Sequence, residues 1–402
     1  MDDALRLRIF SVLAFAIFVS MLGLGIIVPV LPLYATHLGA SGVWVGAIFA
    51  GFAISRSVFM PFVGRLSDKT GRKAFISTGL LLYGLSCLGF IYATDYIVLF
   101  WVRILQGFCS AMIVPIAQAY VGEIAPPERV GSYMGQFNVA IFCGMGFGPF
   151  IGGCIHDSFG MNADFILMGL MCAVSFLLVL IFLPSAKKEH TIHKAEPLAY
   201  GALLKLRQVQ GILWFRFVNA FLRGSVMSFL PILGSSMLGL NGFQIGLAVS
   251  TGVLVTSFLQ YPCGRLADRF NRKTLVLVGN LLYALALSLF PLAPSFGLLL
   301  GISFFSGMLA AVPLPAATAL IVEEGKKYGM GSLIALFNVA MSLGLGGGPL
   351  VCGLVYDAFG LNYVFYFSTI LGIIGTIYVG KLLHAAGHDA PPAGRGMAEL
   401  EP

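Results

Sequence analysis

The chain repeats itself at an interval of 200 residues, and what it repeats is a set of apolar stretches with polar punctuation. Gly64-Arg65-Leu66-Ser67-Asp68-Lys69-Thr70-Gly71-Arg72-Lys73 returns as Gly264-Arg265-Leu266-Ala267-Asp268-Arg269-Phe270-Asn271-Arg272-Lys273. Phe137-Asn138-Val139-Ala140 returns as Phe337-Asn338-Val339-Ala340; Glu123 pairs with Glu323 and Asp157 with Asp357. The register does not slip across this span, so the chain folds as two copies of one unit. Two apolar halves with matching internal marks imply a secondary transporter, with its substrate site between the halves near the bilayer midplane.

Composition places the halves in a membrane. Of 402 residues, 58% are hydrophobic and 10% charged. A soluble domain carries about 25% charged residues, so this surface cannot face water all round. The 50 Gly suit close helix–helix contact in lipid. The net charge of +7 does not point to nucleic acid, because the basic residues are spread between apolar runs rather than gathered on one face. The 7 Cys sit in or at the ends of apolar runs without a CxxC pair and read as small buried hydrophobes. The 6 His show no ligand spacing, and His190 and His193 read as a solvated pair. No metal or cofactor is expected. With no nucleophile elbow, phosphate loop or His/Asp/Glu cluster, neither is an enzyme. Arg6 and Arg8 precede an apolar run that continues to Leu33 without a persuasive cleavage site, which predicts a retained first helix.

Stretches of roughly 20 apolar residues can span a bilayer. They fall near 9–34, 43–63, 74–93, 97–121, 132–153, 164–183, 210–235, 243–262, 274–293, 296–321, 331–353 and 361–382. The expected fold is an all-α membrane protein of twelve helices in two pseudo-symmetric six-helix halves. Residues 1–183 form the N-terminal half, 184–209 a cytoplasmic linker, 210–383 the C-terminal half and 384–402 a disordered tail. With the N-terminus inside, 20 of the 24 Lys and Arg fall in inner segments, none in outer loops, and the other four within spans. This positive-inside pattern puts both termini in the cytoplasm, in the inner membrane.

Gly64–Lys73 is similar to the signature loop between the second and third helices of the major facilitator superfamily. Gly64 and Gly71 permit a tight reversal. Arg65, Arg72 and Lys73 hold the loop at the anionic inner leaflet. Asp68 can face the positive end of another helix. The resemblance implies a latch between the halves on the cytoplasmic side in the outward-open state, made by Asp68 near Gly331, with Arg72 and the repeats Asp268 and Arg272 alongside. A role in topology alone is the other reading. Gly144-x-x-x-Gly148-Pro149-x-x-Gly152-Gly153 resembles the antiporter motif of the same superfamily, echoed by Gly344-x-x-x-Gly348-Pro349-x-x-Cys352-Gly353. Such a face of small residues can seal the halves, or serve ordinary helix packing. Leu22-Gly23, Pro29-Val30-Leu31-Pro32 and Arg103-Ile104-Leu105-Gln106-Gly107 resemble motifs of the twelve-helix drug:proton antiporters. The resemblance implies a role for Arg103 in proton transfer or gating; a structural tie to Gln106 is the alternative.

Four arginines lie within spans: Arg56, Arg103, Arg216 and Arg223. All 17 acids lie in loops, tails or helix ends, with Asp164 at an outer boundary. This departs from exporters of cationic drugs, which place a carboxylate in the membrane. Buried guanidinium groups without counter-charge favour a substrate with an acidic group. Arg216 can snorkel to the inner surface; Arg223 lies deeper and shares a face with Asn219. Asn138 and Asn338 serve either as helix–helix hydrogen bonds or as substrate contacts. The reading is a transporter exporting a small amphipathic or anionic molecule, driven by the proton gradient or the membrane potential, as a monomer among lipids. An uptake carrier for a sugar or organic acid, and a non-transporting receptor or scaffold, are the alternatives.

Overall fold

The computed structural model describes residues 3–126, 130–184, 200–328 and 330–388. Among them every regular element is helical: α1 (Asp3–His37), α2 (Gly42–Thr70), α3 (Arg72–Ile91), α4 (Tyr96–Ile124), α5 (Val130–Phe159), α6 (Met161–Phe182), α7 (Tyr200–Leu203), α8 (Arg207–Leu238), α9 (Gly242–Arg269), α10 (Arg272–Leu287), α11 (Phe296–Ala311), α12 (Pro313–Tyr328), α13 (Met330–Phe359) and α14 (Leu361–His388), with one 3₁₀ turn at Phe290–Leu292. Twelve helical segments are long and apolar enough to cross a membrane. Several overrun the hydrocarbon core. The 35 residues of α1 rise about 52 Å against a core of about 30 Å.

Local chemistry sets the ends. Asp95 caps α4 by accepting from the amides of Ile97 and Val98. Asn241 and Gln244 form a capping box on α9. α5 and α13 each run into a glycine with positive φ, Gly160 at 79° and Gly360 at 95°, which lets the chain reverse within one residue. The tenth span, expected as one run over 296–321, is broken at Val312: Pro313 opens α12 and has no N–H to continue the ladder of α11. The segment 184–209 contains the short α7, whose Leu203 is buried with Val209, Ile212, Phe215, Phe337 and Leu383. The last helix passes residue 383 and ends at His388. The rest of the expected tail lies outside the described residues.

Each half repeats one packing scheme. In the first, α1 lies on α5 and α6, α2 on α4, and α3 on α4 and α6; in the second, α8 lies on α13 and α14, α9 on α11, and α10 on α14 and α12. The halves meet mainly through two antiparallel helix pairs, α2 with α13 and α5 with α9.

Candidate functional site

Both cross-half pairs are closed at one end. The start of α1 and the end of α14 lie toward one side, called here the terminal side; the opposite is the far side. α2 and α9 begin on the far side, where α5 and α13 end. At that end Asp357 on α13 accepts from the amides of Gly42 (2.5 Å) and Val43 (2.9 Å) on α2. Two hundred residues earlier, Asp157 on α5 accepts from the amides of Gly242 and Phe243 on α9, both at 2.8 Å. Each carboxylate therefore satisfies orphan donors at the positive end of a helix in the other half. Ser41 gives α2 no side-chain cap, and the box on α9 uses the amide of Gln244, so these donors are left for the opposite half. Backbones touch just below: Gly246 against Pro149, Gly153 against Gly242, Gly46 against Pro349, Gly353 against Gly42.

Toward the terminal side the same helices part. Asn138 precedes Pro149 by 11 residues, a rotation of about 20° from it at 100° per residue, and so belongs to the stripe of α5 that meets α9 higher up. It is exposed, and so is Asn338, which precedes Pro349 by the same interval on α13. Neither makes a hydrogen bond among the described residues. Tyr261 on the lower part of α9 is 70% exposed, and a Cβ on Gly64 or Gly264 would meet nothing. The asparagines are thus not helix–helix ties here; they flank an opening between the halves.

The antiporter motif divides its work by helical face. Cβ atoms on Gly144, Gly148 and Gly152 would strike Phe18 and Met21, Gly25, and Ile26 of α1, inside the same half. The residues beside that face reach α9: Pro149 and Gly153 by their backbones, Gly146 against Leu254, and Phe150 against the Phe243 ring. The echo splits likewise: Gly344 and Gly348 pack on Phe217 and Phe221 of α8, while Pro349 and Gly353 face α2. The glycine face therefore builds the halves, and the residues beside it seal them.

The span arginines have no acid within ion-pair distance among the described residues. Arg103 is 2% exposed; its Nη1 donates to Gln106 Oε1 at 3.0 Å, and its guanidinium stacks 4.3 Å from the Phe52 ring centroid and 5.6 Å from that of Phe49. It is tied inside the first half rather than open to a cavity. Arg216 does not snorkel. It is 9% exposed, lies 4.7 Å over the Phe337 ring and contacts Met341 Sδ. Arg56 and Arg223 are partly open. Asn219 turns away from Arg223, donating to Asn280 Oδ1 at 3.2 Å, and Asn280 donates to Thr376 Oγ1 at 2.8 Å. Two tyrosines join the set: Tyr83 on α3 lies within electrostatic reach of Arg56 and Arg103, and Tyr283 on α10 within reach of Arg223. Their signal was present in the repeat, as Leu81-Leu82-Tyr83 against Leu281-Leu282-Tyr283.

Two six-helix halves, joined by antiparallel helix pairs that close on one side and part on the other, match known proteins throughout. Residues 13–216 and 212–399 match the family model of the Major Facilitator Superfamily. The chain belongs to this superfamily. An uncharacterized MFS-type transporter of Methanocaldococcus jannaschii is 29% identical over 89% of this chain and 93% of its own. Multidrug resistance protein 2 of Bacillus subtilis is 27% identical over 91% and 93%. The crystal structure of a bacterial homolog of the human lysosomal transporter Spinster, inward-facing and unoccupied, superposes with a TM-score of 0.86 over 98% of this chain and 100% of its own at 14% identity. With twelve apolar helices, this chain is a multi-pass membrane transporter of the superfamily.

The superfamily's signature segment is mostly helix. Residues 64–70 are the last turns of α2, and the reversal is confined to Gly71 at φ 106°. Gly64 is thus not a turn residue: the helix runs on past the apolar core, where its backbone stays satisfied. In the echo, Asn271 makes the turn with φ −62° and caps α10 through the amides of Lys273 and Thr274. Arg72 binds Glu123 on α4 at 2.5 and 2.9 Å, and Arg272 binds Glu323 on α12. Asp268 lies 3.7 Å from Arg272 of its own half. The side chains of Asp68 and Gly331 lie outside the described residues. Asp164, which sequence position marks only as a boundary acid, is 0% exposed.

Proposed function

We propose that this chain exports a small amphipathic or anionic organic molecule across the cytoplasmic membrane by alternating access, with proton exchange as its energy source. The excess of Lys and Arg in the segments of the terminal side makes that side the cytoplasm, so the arrangement described is open inward. In the outward-open state Asp68 and Asp268 take, on the cytoplasmic side, the role that Asp357 and Asp157 hold on the outer side. The same two helix pairs then close at their other ends.

The observation that carries the substrate class is positive charge without partners. Arg56 and Arg223 are partly open, lie within the spans and have no carboxylate in ion-pair range among the described residues. A cation approaching either guanidinium meets like charge; a carboxylate or phosphate meets forked donors of matching geometry. Outward movement of an anion from a negative interior is favoured by about 2.3 kcal/mol per charge per 100 mV. The likeness to a multidrug resistance protein supports the outward direction.

The test uses inverted membrane vesicles with an imposed proton gradient and a pH-sensitive dye. Anionic, neutral and cationic compounds are added in turn, with Arg223→Ala vesicles as control. Collapse of the gradient by anions, lost in the variant, is the expected result. Collapse by cations alone refutes the electrostatic argument.

A further inference from the structure

Asp164 carries two carboxylate oxygens with no hydrogen-bond partner at a place fully closed by protein. Its nearest titratable neighbour is His156, whose Nδ1 lies 3.6 Å from Oδ2. That is ion-pair range, beyond hydrogen-bond reach. An ionised carboxylate cannot be buried this way uncompensated. Either it carries a proton or the imidazole does, and the two titrate as one unit. The pair is therefore a site that holds at least one proton.

Its surroundings tie that proton to the outer gate. The other edge of the imidazole leans on the opposite half: a Cβ on Gly242 would lie 3.0 Å from His156 Cδ2. The next residue, Asp157, holds the amides of Gly242 and Phe243. One side of the histidine thus faces Asp164 of its own half, and the other faces the positive end of α9. From α9 come Asn241 and Gln244, both uncharged. From α1, Tyr34 and His37 line a hollow of about 370 Å³ beside the α5–α6 turn, with Phe159 to Asn162. From α3, Phe90 stacks on Phe165, and the titratable Cys87 and Tyr83 lie deeper, Cys87 beside Gly169. The imidazole is 25% exposed and gives the pair its route to solvent.

The second half has the latch without the proton site. Asp357 repeats Asp157, but Tyr356 stands for His156 and Val364 for Asp164.

We propose that His156 and Asp164 form a proton-binding site of the outer gate, loaded from outside, whose occupancy opposes closure. Each proton added makes the pair more positive beside the positive end of α9. That change favours separation of α5 from α9. By linkage, acid shifts the protein toward the outward-open state, and closure of the gate expels protons. The word "outside" rests on the orientation given above; the link between proton and gate does not depend on the substrate.

The test is pulsed electron paramagnetic resonance on purified protein in nanodiscs between pH 5 and 8. Spin labels replace Tyr92 and Leu292, two exposed far-side positions 200 residues apart, in a background without other cysteines. Acidification should lengthen the distance, with the closed-to-open ratio falling by up to tenfold per pH unit for one proton taken up. Asp164→Asn and His156→Gln should each flatten this response. The double replacement His156→Tyr with Asp164→Val installs the residues of the second half, keeps a packed gate and should lose the response as well. A wild-type distance that ignores pH overturns the proposal, and so does a double variant that titrates like wild type. Vesicles that show no proton-coupled flux, while the distance still titrates, would count against the transport reading and not against this site.

Discussion

Gly246→Ala should hold the far-side gate open. The new Cβ would overlap the carbonyl oxygen of Pro149 and sit 3.0 Å from its carbonyl carbon and 3.3 Å from Gly153 Cα. All three neighbours are backbone atoms of α5, so no side chain can swing aside, and the helices must part. Overpacking of this kind costs about 1–3 kcal/mol, equivalent to a population shift of about 5- to 150-fold. The clash exists only while α5 and α9 are closed, so the cost falls on the closed state alone. The Tyr92–Leu292 distance should lengthen at neutral pH. Gly148→Ala is the control: its Cβ would lie 2.6 Å from Gly25 Cα and 2.6 Å from Leu22 O, inside one half. It should lower thermal stability in detergent with the distance unchanged. If Gly246→Ala leaves the distance distribution of wild type, or behaves like Gly148→Ala, the assignment of Pro149 and Gly153 as the seal is wrong.

Two further outcomes follow from the same geometry. Asn280→Ala breaks the buried chain from Asn219 to Thr376 and should cost about 0.6–2 kcal/mol, seen as a lower melting temperature and checked against Thr376→Val. Gly71→Ala places a side chain at φ 106° and should cost about 1–2 kcal/mol. Gly264→Ala, inside a helix with open space around it, should be neutral or gain about 0.5–1 kcal/mol; comparing the two melting temperatures decides this.

The sequence by itself determined the twelve spans, the two halves and their shared plan. Span length and apolarity are local properties, and a strict 200-residue repeat forces each mark in one half to recur in the other. It also exposed the four span arginines, since a charge inside an apolar run stands out without coordinates. What it left undecided depended on which helix faces which. The glycines of the antiporter motif announce a smooth face, but a face does not name its partner; only the tertiary structure assigns Gly144, Gly148 and Gly152 to α1 and Pro149 with Gly153 to α9. Arg103 has the same chemistry in any orientation, and packing between Phe52 and Gln106 is what closes it off. Asp164 shows the limit most plainly. A boundary position in the chain says nothing of the neighbours that bury it, and those neighbours arrive from other helices. Asp157 and Asp357 reach amides 85 and 315 residues away. Their role as clasps between the halves exists only once the helices they join have been brought end to end.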